Sequence, residues 1–255
     1  MDYLSYKKHE KIGYITIQND KEFNALSSKV IHEFDNLLKE IAENREVKVV
    51  VIQGNEKTLS PGHNLKEIQS GSLEDVRKLF QDCQGFMRRI RELPQIVIAK
   101  VRGVAVAAGC QLVANCDMAV ASADARFATP GINSGLFCST PAVFLSRNIG
   151  RKKAVELLFT GNFMSADEAL KYGLVNKVVP LENLDEETEN LAKEVAKQSL
   201  NIIELGKQTF YQQLNMEDFQ ALTYTTEVIA NNTKHQDAEE GISCFFEKRK
   251  PEWND

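Results

Sequence analysis

The chain has 255 residues, 43% of them hydrophobic, enough to bury a sizeable core in one large domain or in a domain with a helical appendage. A formal net charge of −5 argues against a nucleic-acid partner, and Lys100 and Arg102 break the most apolar region before it reaches the roughly 20 residues of a membrane helix. Five cysteines without C-x-x-C and four dispersed histidines argue against a disulfide framework and a metal site, and suit a reducing compartment.

No Arg precedes Arg45, and a strand is expected already at residues 14–17, so no cleaved leader is evident and a cytosolic location is expected. Ser27 or Ser28 then caps an amphipathic helix whose apolar face is Val30, Ile31, Phe34, Leu37, Leu38 and Ile41. Residues 47–52 read as a buried strand. Residues 73–93 read as a helix stopped by Pro94, followed by a strand at 96–99, a helix of small residues and a strand at 118–121. This alternation implies an α/β fold. From Glu186 onward the strand pattern disappears, and helices are expected at 191–199, 202–214, 219–231 and 239–248. The shift places a subdomain boundary near residue 195, dividing a core of residues 1–195 from a helical part, 196–255.

Two small-residue turns each follow a β-branched run and open a helix. The first is Ser60-Pro61-Gly62-His63-Asn64-Leu65-Lys66 and the second is Ala107-Ala108-Gly109-Cys110-Gln111. Helix starts carry unpaired N–H donors and a partial positive charge, so two starts facing one point would hold a developing oxyanion. Taken singly, each turn also suits plain close packing of a helix on a sheet.

These turns, with Phe23-Asn24-Ala25-Leu26, Phe159-Thr160-Gly161, Ser165-Ala166-Asp167-Glu168-Ala169-Leu170, Gly173-Leu174-Val175-Asn176 and Phe246-Glu247-Lys248-Arg249-Lys250, resemble the crotonase (enoyl-CoA hydratase/isomerase) family along nearly the whole chain. The resemblance implies a spiral of ββα turns with C-terminal helices at a trimer interface, two trimers stacking as a hexamer. It also implies an acyl-CoA or enoyl-CoA thioester as substrate, coenzyme A entering as part of that substrate with no permanently bound cofactor. Carried over residue by residue, the oxyanion donors are the backbone N–H groups of His63 and Ala108. Lys21, Glu22 and Phe23 match the adenine-side segment, Lys66 a phosphate-side lysine, and Phe245 and Lys248 residues that approach from a neighbouring subunit.

The departures concern the chemistry. Hydratases of the family use two glutamates, and those positions here are Gln111 and Gly131. Neither can exchange a proton near neutral pH, which removes a general acid–base contribution of ~10²–10⁴-fold. Efficient hydration is therefore not expected, and restoring both glutamates is expected to raise it. Gln111 can still hydrogen-bond a carboxylate, a hydroxyl or a water. Cys138, in the loop beyond the missing glutamate, is a candidate nucleophile if paired with His63, and otherwise a buried thiol. Three readings follow: a hydratase/isomerase-type enzyme with its carboxylates replaced, a CoA-thioester decarboxylase, or a non-catalytic acyl-CoA-binding partner protein.

Overall fold

The computed structural model describes residues 1–254. The chain opens with an antiparallel pair, β1 (Leu4–His9) and β2 (Ile12–Ile17), with Leu4 opposite Ile17 and His9 opposite Ile12. Helix α1 (Ser28–Ala42) follows, and Ser27 is its cap, its hydroxyl accepting from the Val30 N–H. All six apolar residues expected on its inner face are buried.

A unit of two strands and a helix then recurs. The first is β3 (Val49–Gln53), β4 (Thr58–Ser60), the short α2 (Leu65–Ser70) and the long α3 (Leu73–Glu92). A reciprocal Ser72–Asp75 capping box starts α3, and its last residue is two before Pro94. The second is β5 (Ile96–Val101), β6 (Val104–Val106) and α4 (Ala108–Asn115). The third is β7 (Met118–Ser122), β8 (Arg126–Ala128) and α5 (Ser139–Asn148). Long strands join one sheet and short strands another, so each unit advances the chain by one step of a spiral. The chain continues through α6 (Arg151–Thr160), β9 (Met164–Ser165), α7 (Ala166–Tyr172) and β10 (Lys177–Val179).

The large sheet runs β1-β2-β3-β5-β7-β10 and the small one β4-β6-β8-β9. From β2 onward the large sheet is parallel and covered on both faces. Val50, Ile52, Val97 and Ala99 point into the main core with α1, α3 and α4. Their neighbours Val49, Val51 and Ile98 point the other way, onto Leu184, Ala192 and Ala196 of α8 (Leu184–Ala196). This helix starts seven residues before its expected position, because its buried face repeats every four residues from Leu184. The last three helices are α9 (Leu200–Gln213), α10 (Asp218–Asn232) and α11 (Gln236–Glu247), and the division between residues 195 and 196 falls at the end of α8. No helix among the described residues is long and apolar enough to cross a membrane.

Candidate functional site

The loop after β2 makes one wall. Phe23 and Asn24 both adopt positive φ, 53° and 64°, which turns the chain sharply. The buried Asn24 holds that turn, its Oδ1 accepting from the Asn19 N–H at 3.0 Å and its Nδ2 donating to the Thr58 carbonyl at 3.1 Å. The Glu22 carboxylate accepts from Asn64 Nδ2 at 2.9 Å and Asn19 Nδ2 at 3.0 Å, tying the loop to the first turn.

Both turns are built from the main chain. In the first, Gly62 has φ of 99°, its N–H donates to Ser60 Oγ at 3.1 Å, and its carbonyl accepts from the Leu26 N–H at 2.8 Å. Asn64 then caps α2, accepting from the Lys66 N–H at 3.0 Å. In the second, Ala107 sits at φ 49°, ψ −115°, a conformation that normally selects glycine and that turns the following N–H outward as α4 begins.

The two turns meet. A Cβ placed on Gly62 would lie 2.9 Å from Ala107 Cβ and 3.1 Å from the Ala108 nitrogen, and one on Gly109 would lie 2.1 Å from the Ser60 carbonyl oxygen. Only glycine allows this approach. Among the described residues the N–H groups of His63 and Ala108 have no hydrogen-bond acceptor, and both residues line a cavity of about 490 Å³. Lys21, Glu22, Phe23, Lys66, Gly131 and Cys138 line the same cavity.

The His63 ring stands apart from its backbone role. Its Nδ1 is 3.2 Å from the Leu26 carbonyl, which can only accept, so Nδ1 carries the proton and Nε2 the lone pair. Burial holds its pKa below the usual 6.5, so the ring is neutral, and Nε2 has no partner. Phe80 of α3 packs edge-on against it, with ring centroids 4.9 Å apart.

The two positions without glutamate differ. A Cβ on Gly131 would lie 2.7 Å from the Leu136 carbonyl oxygen and 2.8 Å from Cys138 Sγ. The cysteine thus occupies the space through which a side chain at 131 would leave the backbone. Burial pushes the Cys138 thiol pKa up against the Gly131 N–H, which pulls it down, and no hydrogen bond joins the thiol to His63. Gln111 is buried on α4 and lines a neighbouring cavity, which shares Phe80 and Thr140 with this one.

Phe245 and Lys248 are not brought to the cavity by their own chain. Phe245 projects from α11 beside Ile202 and Trp253, and Lys248 ends that helix at φ 58°. Conversely, Phe80 and Asn64 line the cavity although the sequence reading assigned their side chains no role. Asn64 was findable as a residue preceding a helix, whereas Phe80 lies on an amphipathic helix where nothing separates a cavity-lining ring from a core one.

Comparison with known proteins follows this geometry. A family model described as enoyl-CoA hydratase/isomerase matches residues 7–255. The chain belongs to the enoyl-CoA hydratase/isomerase family. A human relative named enoyl-CoA hydratase domain-containing protein 3, mitochondrial, is 44% identical over 251 residues, 98% of this chain and 83% of that protein. The crystal structure of human enoyl Coenzyme A hydratase domain-containing protein 3 has a TM-score of 0.94 at 43% identity and covers 98% of this chain and 100% of that chain. An enoyl-CoA hydratase structure from Mycobacterium smegmatis has a TM-score of 0.96 at 43% identity, covering 99% of both chains.

The expected cytosolic location is overturned by these relatives. Those from rat, human and Xenopus laevis are all named as mitochondrial, at 43%, 44% and 45% identity. Cysteine usage reports redox state, which a reducing organelle shares with the cytosol, and an address is carried by a targeting segment rather than by the fold.

Proposed function

We propose that this family member binds acyl-CoA thioesters and polarises the thioester carbonyl between the N–H groups of His63 and Ala108. The observation that carries the reading is the meeting of the two turns, which leaves two unpaired backbone donors on one cavity wall. Donors fixed in advance act on an oxygen that gains charge, as in enolate formation, and one such donor is worth ~2.7–4 kcal/mol of barrier. Lys21 and Lys66 at the rim supply positive charge for the phosphates of coenzyme A.

Proton transfer is the weak part of this site. Glu22 is the one carboxylate among the cavity's described lining residues, and both its oxygens are engaged by Asn64 and Asn19. Gly131 offers no side chain, and the Gln111 amide does not titrate. The reading is therefore a hydratase/isomerase-type enzyme with slow hydration. The same lack of a free carboxylate favours, as a second reading, decarboxylation of a CoA thioester, where loss of CO₂ generates the enolate without a base.

Calorimetry with acetyl-, crotonyl- and octanoyl-CoA is expected to give binding heats, and crotonyl-CoA hydration to fall well below about 1 per second, the low end of ordinary turnover. Absence of heat with every ester at millimolar concentration rejects thioester binding. Rapid hydration rejects the view that the missing carboxylates limit it, and consumption of a malonyl-type ester with release of CO₂ selects the second reading.

A further inference from the structure

A second cavity, of about 710 Å³, lies between α3 and α5 and shares Phe80 and Thr140 with the first. Met87 of α3 and Val143 and Phe144 of α5 give it an apolar stretch, but its charges are all of one sign: Arg77, Arg88 and Arg91 line it, and none of its described lining residues is acidic. Arg88 is paired with Glu92 at 2.6 Å, and Arg77 stands exposed on α3. Arg91 differs. It is partly buried, and its hydrogen-bond partners are all neutral: Nε donates to the Asn115 carbonyl at 2.7 Å and to Asn115 Oδ1 at 3.2 Å, Nη2 donates to the Ala114 carbonyl at 3.2 Å, and Nη1 has no acceptor among the described residues. Asp117, two residues beyond the asparagine that Arg91 holds, is ion-paired with Lys207 at 2.7 Å instead.

Capping the last carbonyls of α4 accounts for Nε and Nη2 of Arg91. It leaves Nη1 idle, and the group that matches an uncommitted guanidinium edge is a carboxylate. Helix α4 measures how far that edge lies from the first cavity. Ala108 opens the helix and Asn115 closes it, two turns later on the same face, with Gln111 between them in the wall of the second cavity. Seven residues of helix span ~10 Å, about the length of an extended chain of eight carbons. A chain whose thioester oxygen sits on the Ala108 N–H would pass the Phe80–Thr140 wall and end at the Arg91 guanidinium.

We infer that Arg91 is a specificity-determining residue that receives a carboxylate at the far end of the acyl chain, so that the protein takes ω-carboxyacyl thioesters of about eight carbons in preference to unsubstituted ones. The inference rests on the thioester-binding reading above. The test is calorimetric titration of wild type with octanoyl-CoA and its ω-carboxylated counterpart octanedioyl-CoA, and with the shorter pair hexanoyl- and hexanedioyl-CoA. Wild type is expected to bind octanedioyl-CoA about tenfold more tightly than octanoyl-CoA, the effect of a hydrogen bond between charged groups. The six-carbon pair is expected to agree within about twofold, because the shorter chain stops before the guanidinium. Arg91→Met is expected to bring the eight-carbon pair within about twofold by weakening octanedioyl-CoA alone, with octanoyl-CoA reporting that the folded site survives. A wild-type eight-carbon ratio within twofold overturns the inference whether or not the variant folds, and so does an equal preference at six carbons. A tenfold ratio that persists in an Arg91→Met protein still able to bind octanoyl-CoA overturns it as well. Failure of every ester to bind wild type instead rejects thioester binding, the reading beneath it.

Discussion

His63 couples acidity to stability through a ring that is not its backbone donor. Its pKa is lowered in the folded state chiefly by burial, so between that value and 6.5 the unfolded chain binds more protons than the folded one. Stability from this group is therefore complete above pH 6.5 and is lost as pH falls below it. His63→Gln keeps a donor for the Leu26 carbonyl and does not titrate. Its melting temperature is expected to fall less steeply than wild type between pH 7 and 5, and equal slopes would assign the acid loss to other groups. Gly131 makes a second point at this scale. The sequence suggested that glutamates at 111 and 131 together would raise hydration, but position 131 has no room for a Cβ against Leu136 and Cys138. Gly131→Glu is expected to cost about 2 kcal/mol or more in urea unfolding, with Cys138→Ala recovering only part, since the Leu136 carbonyl remains. A neutral Gly131→Glu variant would show that the 136–138 loop moves freely.

At the scale of elements, α9 is fastened by one buried cation. Lys207 Nζ contacts Asp117 Oδ2 at 2.7 Å and donates to the carbonyls of Ile90 at 2.9 Å and Gln95 at 2.8 Å. Asp117 also accepts from the Tyr211 hydroxyl and the Val97 N–H, both at 2.7 Å. Arg91 lies over the Tyr211 ring, 4.0 Å from its centroid. The lysine thus joins the end of α3, the start of β5 and the end of α4 to α9. Lys207→Ala leaves a buried aspartate without its cation, and is expected to cost about 3–5 kcal/mol in chemical denaturation. A loss below about 1 kcal/mol would mean that apolar packing alone seats the helix. Burial lowers the Lys207 pKa against the pull of Asp117, and the carbonyls of Ile90 and Gln95 accept its remaining hydrogen bonds.

For the whole molecule, the last helices leave apolar side chains exposed. Helix α10 has no buried residue, and Leu222, Ile229, Phe245 and Phe246 are each at least 60% exposed. Large exposed apolar patches mark interaction sites on soluble proteins. A trimer or hexamer is the assembly proposed, with Phe245 and Lys248 completing a neighbouring subunit's site. Sedimentation at micromolar concentration is expected to give a species of three or six chains. A clean monomer would remove both the interface and the shared site.

The repeating strands and the two glycine turns were legible from the sequence because β-branching, capping residues and glycine act locally. The face of α1, the span of α3 and the end of α3 before Pro94 were read in this way. The short strands β4, β6, β8 and β9 were not, since two or three residues carry no periodicity and exist only by pairing with distant partners. The site divided along the same line. Sequence singled out His63, Ala108, Gln111 and Gly131, while only the tertiary structure set Gln111 in the wall of a neighbouring cavity, placed Cys138 against Gly131 and left Phe245 outside the wall of its own chain's site. Those facts depend on which helix packs beside which, and packing is settled by the whole core at once rather than by any residue's neighbours in the chain.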